Sequence, residues 1–150
     1  MGIDAVSYVH LLAGEALPPF ARPGPFKAIV VVEDDVTPEW RDTVSDWLVR
    51  SGCRYMMAWG SKGSEWDTSV DLANLRCFGS EKMPDDEFVI TTWHDQDTLE
   101  DTFWFATHAA HHPSLEFDET YILHIAPTAQ PQEMLQRFRE AQQSTSAGSR

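Results

Sequence analysis

The chain has 150 residues, 42% of them hydrophobic and 23% charged, which are the proportions of one ordinary globular domain long enough to enclose a hydrophobic core. Its 24 acidic residues against 11 basic ones leave a formal charge of -13. Such a charge repels phosphate backbones and anionic lipid, so nucleic acid and membrane surfaces are excluded as natural partners, and a basic protein, a cation or a neutral small molecule fits better.

The opening residues, Met1 to Gly14, lack the basic start and apolar run of a signal peptide, and no stretch approaches the length of a membrane span. Cys53 and Cys77 are too few for a disulfide framework and read as small core residues. A cytoplasmic protein is the expectation. In chain order, Val6, Val9 and Leu12 recur at helical spacing and predict a short helix. Four prolines between Leu17 and Phe26 then predict an extended arm, so residues 1–25 are read as a helix followed by a Pro-rich arm.

The core, residues 26–141, begins with Lys27 to Glu33, a continuous β-branched run suited to a strand covered on both faces. Thr37 and Pro38 supply an N-cap and a first helical residue, Trp40, Val44, Trp47 and Leu48 form an apolar face, and Gly52 ends the helix. Cys53 to Trp59 is the second strand, and Ser64 with Asp67 resembles a capping box for a helix burying Trp66, Val70 and Ala73. Phe88 to Trp93 is the third strand. Asp97 and Glu100 cap the next helix, with Leu99, Phe103, Ala106 and Ala110 on one face and Pro113 beyond its end. Tyr121 to Ala126 is the fourth strand, and Pro131 starts a last helix that turns Met134, Leu135 and Phe138 inward. Residues 142–150 are small and polar and predict a flexible tail.

Strands alternating with helices require a parallel sheet, because crossover connections are what join such strands. The expected fold is a three-layer α/β/α sandwich with a mainly parallel four-stranded sheet, flavodoxin-like or Rossmann-like. In open sheets of this kind ligands collect beyond the carboxyl ends of the strands, where strand order reverses. A predicted order of 2-1-3-4 places that reversal between the first and third strands and brings Glu33, Asp34 and Asp35 beside Trp93, His94 and Asp95.

That convergence suits a divalent cation such as magnesium or manganese on Glu33, Asp34 and Asp35, with His94 or Asp95 as a general base. The competing reading is that the acids precede a helix N-terminus, where negative side chains are favourable in any case. The loop Gly60-Ser61-Lys62-Gly63-Ser64 offers backbone N–H groups and one lysine to an anion, or is a turn before a capped helix. Trp59 and Trp93 close two strands on the same face, where an indole either stacks on a ligand or packs at the rim. His108 and His112 stand at i and i+4 near the end of the third helix, on the opposite edge of the sheet.

The run Ile29-Val30-Val31-Val32-Glu33-Asp34-Asp35 resembles the first strand and acidic pair of phosphoacceptor receiver domains. That resemblance implies magnesium on the acids and places Asp95 close to the acceptor position. The receiver pattern is not matched further: the third strand ends Thr91-Thr92-Trp93-His94, and a fifth strand with a Lys-Pro signature is not visible. The segments Tyr55-Met56-Met57-Ala58-Trp59-Gly60 and Thr91-Thr92-Trp93-His94-Asp95 look like those of an uncharacterised bacterial family of small acidic α/β domains, a resemblance covering residues 26–126.

Two functions follow as expectations. The first is a non-catalytic binding or regulatory module that engages a basic protein through its acidic face. The second is a small metal-dependent hydrolase or phosphotransfer protein acting at the ends of the first and third strands. Nucleophile-elbow and metalloprotease motifs are not found in the chain, which favours the first.

Overall fold

The computed structural model describes residues 5–20 and 22–143, so most of the expected 142–150 tail lies outside the described residues. Five strands and four α-helices are formed among them: β1 (Ala5–Leu11), β2 (Phe26–Val32), α1 (Pro38–Ser51), β3 (Cys53–Gly60), α2 (Gly63–Arg76), β4 (Ile90–Trp93), α3 (Leu99–His108), β5 (Glu119–Ile125) and α4 (Pro131–Gln142). All five strands are parallel, in the order β1-β5-β2-β3-β4. The fold is therefore a three-layer α/β/α sandwich of Rossmann-like kind, with one strand more than expected.

The extra strand is β1, where a helix was predicted. The spacing of Val6, Val9 and Leu12 is compatible with a helix, but the period that is used is two. Val6 and Tyr8 pack with the helices of one face, whereas Val9 and Leu11 pack against the other. Pairing with β5 from Ala5↔Glu119 to Leu11↔Ile125 satisfies the inward backbone groups of β1, which is an edge strand, and one side of β5.

Every side chain of β2 is buried, as its continuous apolar run requires of a central strand. Burying a Val, Ile or Phe fully contributes about 1.5–3 kcal/mol, so this strand anchors both cores. Ala28, Val30 and Val32 face α1 and α2 with Trp40, Val44, Leu48, Trp66 and Val70. Ile29 and Val31 face the layer of α3 and α4 with Leu99, Phe103, Met134 and Phe138.

The expected start of α1 is confirmed: Thr37 accepts from the Trp40 N–H, Pro38 opens the helix, and Gly52 closes it at φ 109°. That glycine is required twice over, because a Cβ there would strike the backbone of Gly24. The cap of α3 is Thr98, which accepts from the Asp101 N–H, rather than Asp97. α2 begins after Lys62 with no side-chain cap, so the expected box of Ser64 and Asp67 is not used.

Between β1 and β2 the chain crosses the sheet without a helix. Its proline-rich arm lies over the α1 layer, where Phe20 stacks on Trp47 at 4.5 Å and meets Phe26 and Tyr121 at 4.6 and 4.8 Å. Trp40 and Trp47 donate their indole N–H groups to the carbonyls of Glu15 and Pro18 at 3.0 and 2.9 Å. Two tryptophans thus satisfy part of an extended segment that cannot hydrogen-bond to itself.

Candidate functional site

The strand order decides which loops meet. β2 lies between β5 and β3, and β4 is the edge strand, separated from β2 by the whole of β3. The predicted order is therefore corrected, and the convergence of Glu33, Asp34 and Asp35 with Trp93, His94 and Asp95 does not form. The cause is the crossover direction: β2, β3 and β4 are laid down successively outward, and only α3 carries the chain back across the sheet to β5. The reversal falls between β2 and β5.

At that switch point sits a chain of hydrogen bonds. His124, with a fully buried side chain near the carboxyl end of β5, contacts Glu33 Oε1 through Nε2 at 2.6 Å and the Tyr8 hydroxyl through Nδ1 at 2.6 Å. The Gln130 N–H, just before α4, donates to the same hydroxyl at 2.9 Å. An amide can only donate and an ionised carboxylate can only accept. One assignment gives every group a partner: Nε2 donates to Glu33, the Tyr8 hydroxyl donates to Nδ1, and the Gln130 N–H donates to the Tyr8 oxygen. Beside them His10 donates from Nε2 to the Ala126 carbonyl at 2.6 Å. Burial raises the Tyr8 pKa, against the Gln130 N–H, which lowers it, while the Glu33 charge raises it further. The arrangement connects a solvent-facing carboxylate with a half-buried phenol through one buried imidazole.

A second group lies at the ends of β3 and β4. His94 is buried, holds Nδ1 3.0 Å from Asp97 Oδ2 and Nε2 2.9 Å from the Thr92 hydroxyl, and lies edge-on to Phe105 at 4.9 Å. Both ring nitrogens are thus occupied within the loop. Trp59 donates from Nε1 to the Asp97 carbonyl at 2.9 Å and packs on the α3 side, so it holds the rim together. Trp93 is different, with 48% of its surface exposed. Asp95 is exposed and apart from the acids of β2.

Asp34 turns on its own loop, accepting from the Asp35 N–H at 2.9 Å. Across from this pair, Gly60 is held at φ 104°, where a Cβ would meet the Val32 carbonyl, and Lys62 adopts φ 59° and pairs with Glu65 at 3.9 Å. The space between Asp34, Asp35, Ser61 and Lys62 is about 10 Å³, at the lower limit for a single water. Arg41 and Lys62 line this space together with Asp34 and Asp35, so cations and carboxylates share it. Among the described residues no three His, Cys, Asp or Glu side chains gather as a metal site. His112 lies beyond the end of α3, so the i and i+4 pair with His108 is not on one helix. His111 and His112 instead line a cavity of about 390 Å³ with Lys27 at the amino edge of the sheet.

Sequence reasoning missed Tyr8 and His124. A signal for each was present: His124 is a polar residue inside the apolar run Tyr121 to Ala126, and Tyr8 belongs to a period-two pattern with Val6 and His10.

The helices give this end of the molecule its charge. Each α-helix starts at the carboxyl edge with acid in its first turn, namely Glu39, Glu65, Glu100 with Asp101, and Glu133, and ends with Arg50, Arg76, His108 or Arg139 in its last turn. Both placements favour the helix dipole. Together with Glu33, Asp34, Asp35, Asp95 and Asp97 the first-turn acids make ten carboxylates on the carboxyl edge, against Arg41, Lys62 and Arg137, which pair with Glu65, Glu100 and Glu133.

No curated protein and no solved structure matches the chain. A family profile described as Domain of unknown function (DUF7684) matches residues 6–141, which spans the sandwich except for the first residue of β1 and the last of α4. The chain belongs to that family.

Proposed function

We propose that this domain is a non-catalytic binding module that docks a basic protein on the carboxyl edge of its sheet. The observation that carries the reading is the segregation of charge: first-turn acids of all four helices join the loop carboxylates of Glu33 to Asp35 and of Asp95 and Asp97 on one edge. Concentrated charge of one sign speeds and orients association with a partner of the other sign.

The test is fluorescence anisotropy of labelled poly-L-lysine against two variants with equal charge removed. Glu33→Gln, Asp34→Asn, Asp35→Asn and Asp95→Asn together neutralise the carboxyl edge, whereas Asp85→Asn, Asp86→Asn, Glu116→Gln and Asp118→Asn neutralise exposed acids elsewhere. The first variant is expected to weaken binding about tenfold or more and the second by much less. Equal losses would reduce the effect to net charge and refute the reading.

The switch-point chain favours a second reading, acid–base chemistry on a small ligand at Tyr8. In that case a mononucleotide or small metabolite raises the thermal midpoint of the protein, and Tyr8→Phe abolishes the rise.

A further inference from the structure

The acidic-module reading leaves open where a partner's backbone would lie, and the outer side of β4 answers it. β4 is an edge strand paired on one side only, with β3. The His94 N–H bonds to the Ala58 carbonyl at 2.8 Å, so in a parallel ladder His94, Thr92 and Ile90 turn their backbone groups inward. Alternation then turns the N–H and C=O groups of Thr91 and Trp93 outward, away from the sheet.

The flanks of this edge are acidic and aromatic. Asp67 and Asp71 are one turn apart on α2, beside Thr91, whose hydroxyl donates to Asp71 Oδ1 at 2.7 Å. Asp67 Oδ1 is buried without a hydrogen-bond partner. Burial raises the Asp67 pKa, opposed by the Thr91 hydroxyl, and the Asp71 charge raises it further. Phe88 and Trp93, 49% and 48% exposed, stand at the two ends of the strand, and Asp95 and Asp97 follow. Proteins that avoid association guard their edge strands by shortness, as in the four residues of β4, by a covering segment, or by lysine or proline. Here the residues Ile90-Thr91-Thr92-Trp93 carry neither lysine nor proline.

We infer that β4 is the docking edge for an extended, lysine- or arginine-rich segment of the partner, added as a sixth strand. Backbone pairing with Thr91 and Trp93 supplies the register. Cationic side chains on alternate residues reach Asp67 and Asp71, and one of them meets the Trp93 indole face. The inference rests on the acidic-module reading and adds the binding mode to it.

The experiment uses the intact protein and two ten-residue probe peptides that alternate lysine and valine, one plain and one N-methylated at every peptide nitrogen, which leaves no N–H on either edge. Both carry the same charge, but only the plain peptide offers a full ladder. Amide hydrogen exchange and NMR shifts locate each peptide, and anisotropy gives its affinity. The expected result is slowed exchange at the Thr91 and Trp93 amides and affinity about tenfold weaker for the methylated peptide. Equal affinity for both, with shifts confined to residues 33–37 and 95–101, overturns the edge inference and leaves the acidic-module reading standing. Binding of neither peptide, nor of poly-L-lysine, overturns both. Concentration-dependent protection of the two amides without peptide would assign the edge to a second copy of this chain and overturns the inference as well.

Discussion

Removing one oxygen atom tests the switch-point chain. Tyr8→Phe leaves the ring in place between β1 and α4 but deletes the hydroxyl that accepts from Gln130 and donates to His124. The two orphaned groups fare differently. Gln130 is exposed and its N–H finds water. His124 is fully buried, so its Nδ1 is left as an unsatisfied acceptor, a loss of about 1–3 kcal/mol. Against a total stability of about 5–15 kcal/mol this is large, and urea unfolding at neutral pH resolves it. A partner variant, Glu33→Gln, keeps an acceptor oxygen for Nε2 but removes its charge. Because both variants act on one imidazole, the double variant should depart from additivity by at least about 0.5 kcal/mol. A Tyr8→Phe loss below about 0.5 kcal/mol, with strict additivity, would show that the three side chains are neighbours and nothing more.

Other perturbations follow the same logic. Asp67 has its pKa raised in the folded state, so its contribution is present below the ordinary carboxylate pKa and lost as pH rises through the folded value; Asp67→Asn should raise the urea midpoint at neutral pH and gain little in acid. Glu100 has its pKa lowered, chiefly by the Arg137 hydrogen bond at 2.7 Å, so that pair stabilises above the ordinary carboxylate range and fails as pH falls through the folded value. Both side chains are partly solvated, and Arg137→Gln should therefore cost at most about 1 kcal/mol at neutral pH and nothing in acid. Burial pushes the Cys53 thiol up to about 12, while Cys77 is exposed, so a thiol reagent should label one cysteine in the native protein and the second only on unfolding. Gly60→Ala forces a Cβ against the Val32 carbonyl at positive φ and should lower the thermal midpoint clearly, with Gly79→Ala, which meets nothing nearby, as the milder comparison.

Layer by layer, what the sequence reveals depends on how local its cause is. The central strand β2, the Thr37 cap with Pro38, and the inward stripes of α1 and α3 are local patterns, and each is formed where its pattern lies. β1 is hidden in the sequence because Val6, Val9 and Leu12 satisfy a helical period by coincidence, and only pairing with β5 stabilises the strand. The site was misplaced for a different reason. Where Glu33 points is local, but which loop meets it depends on the order β1-β5-β2-β3-β4, and that order is decided by packing of the helices over a sheet no single segment encodes. His94 therefore meets Thr92 and Asp97 from its own neighbourhood, while Glu33 meets a histidine 91 residues away.

Both described ends of the chain lie on the same side of the sandwich. β1 starts at the amino edge of the sheet beside Asp118, and α4 finishes beside the end of α3, where His108 reaches the Gln142 carbonyl. The first-turn acids of the four helices are on the far side. The molecule is thus an electrical vector with its points of attachment at the tail: in the field of a cationic surface it turns acid-first, and a tether or fusion made at either end holds that orientation instead of obstructing it. Immobilised through a terminal tag, the protein should present its acidic edge outward to a partner in solution.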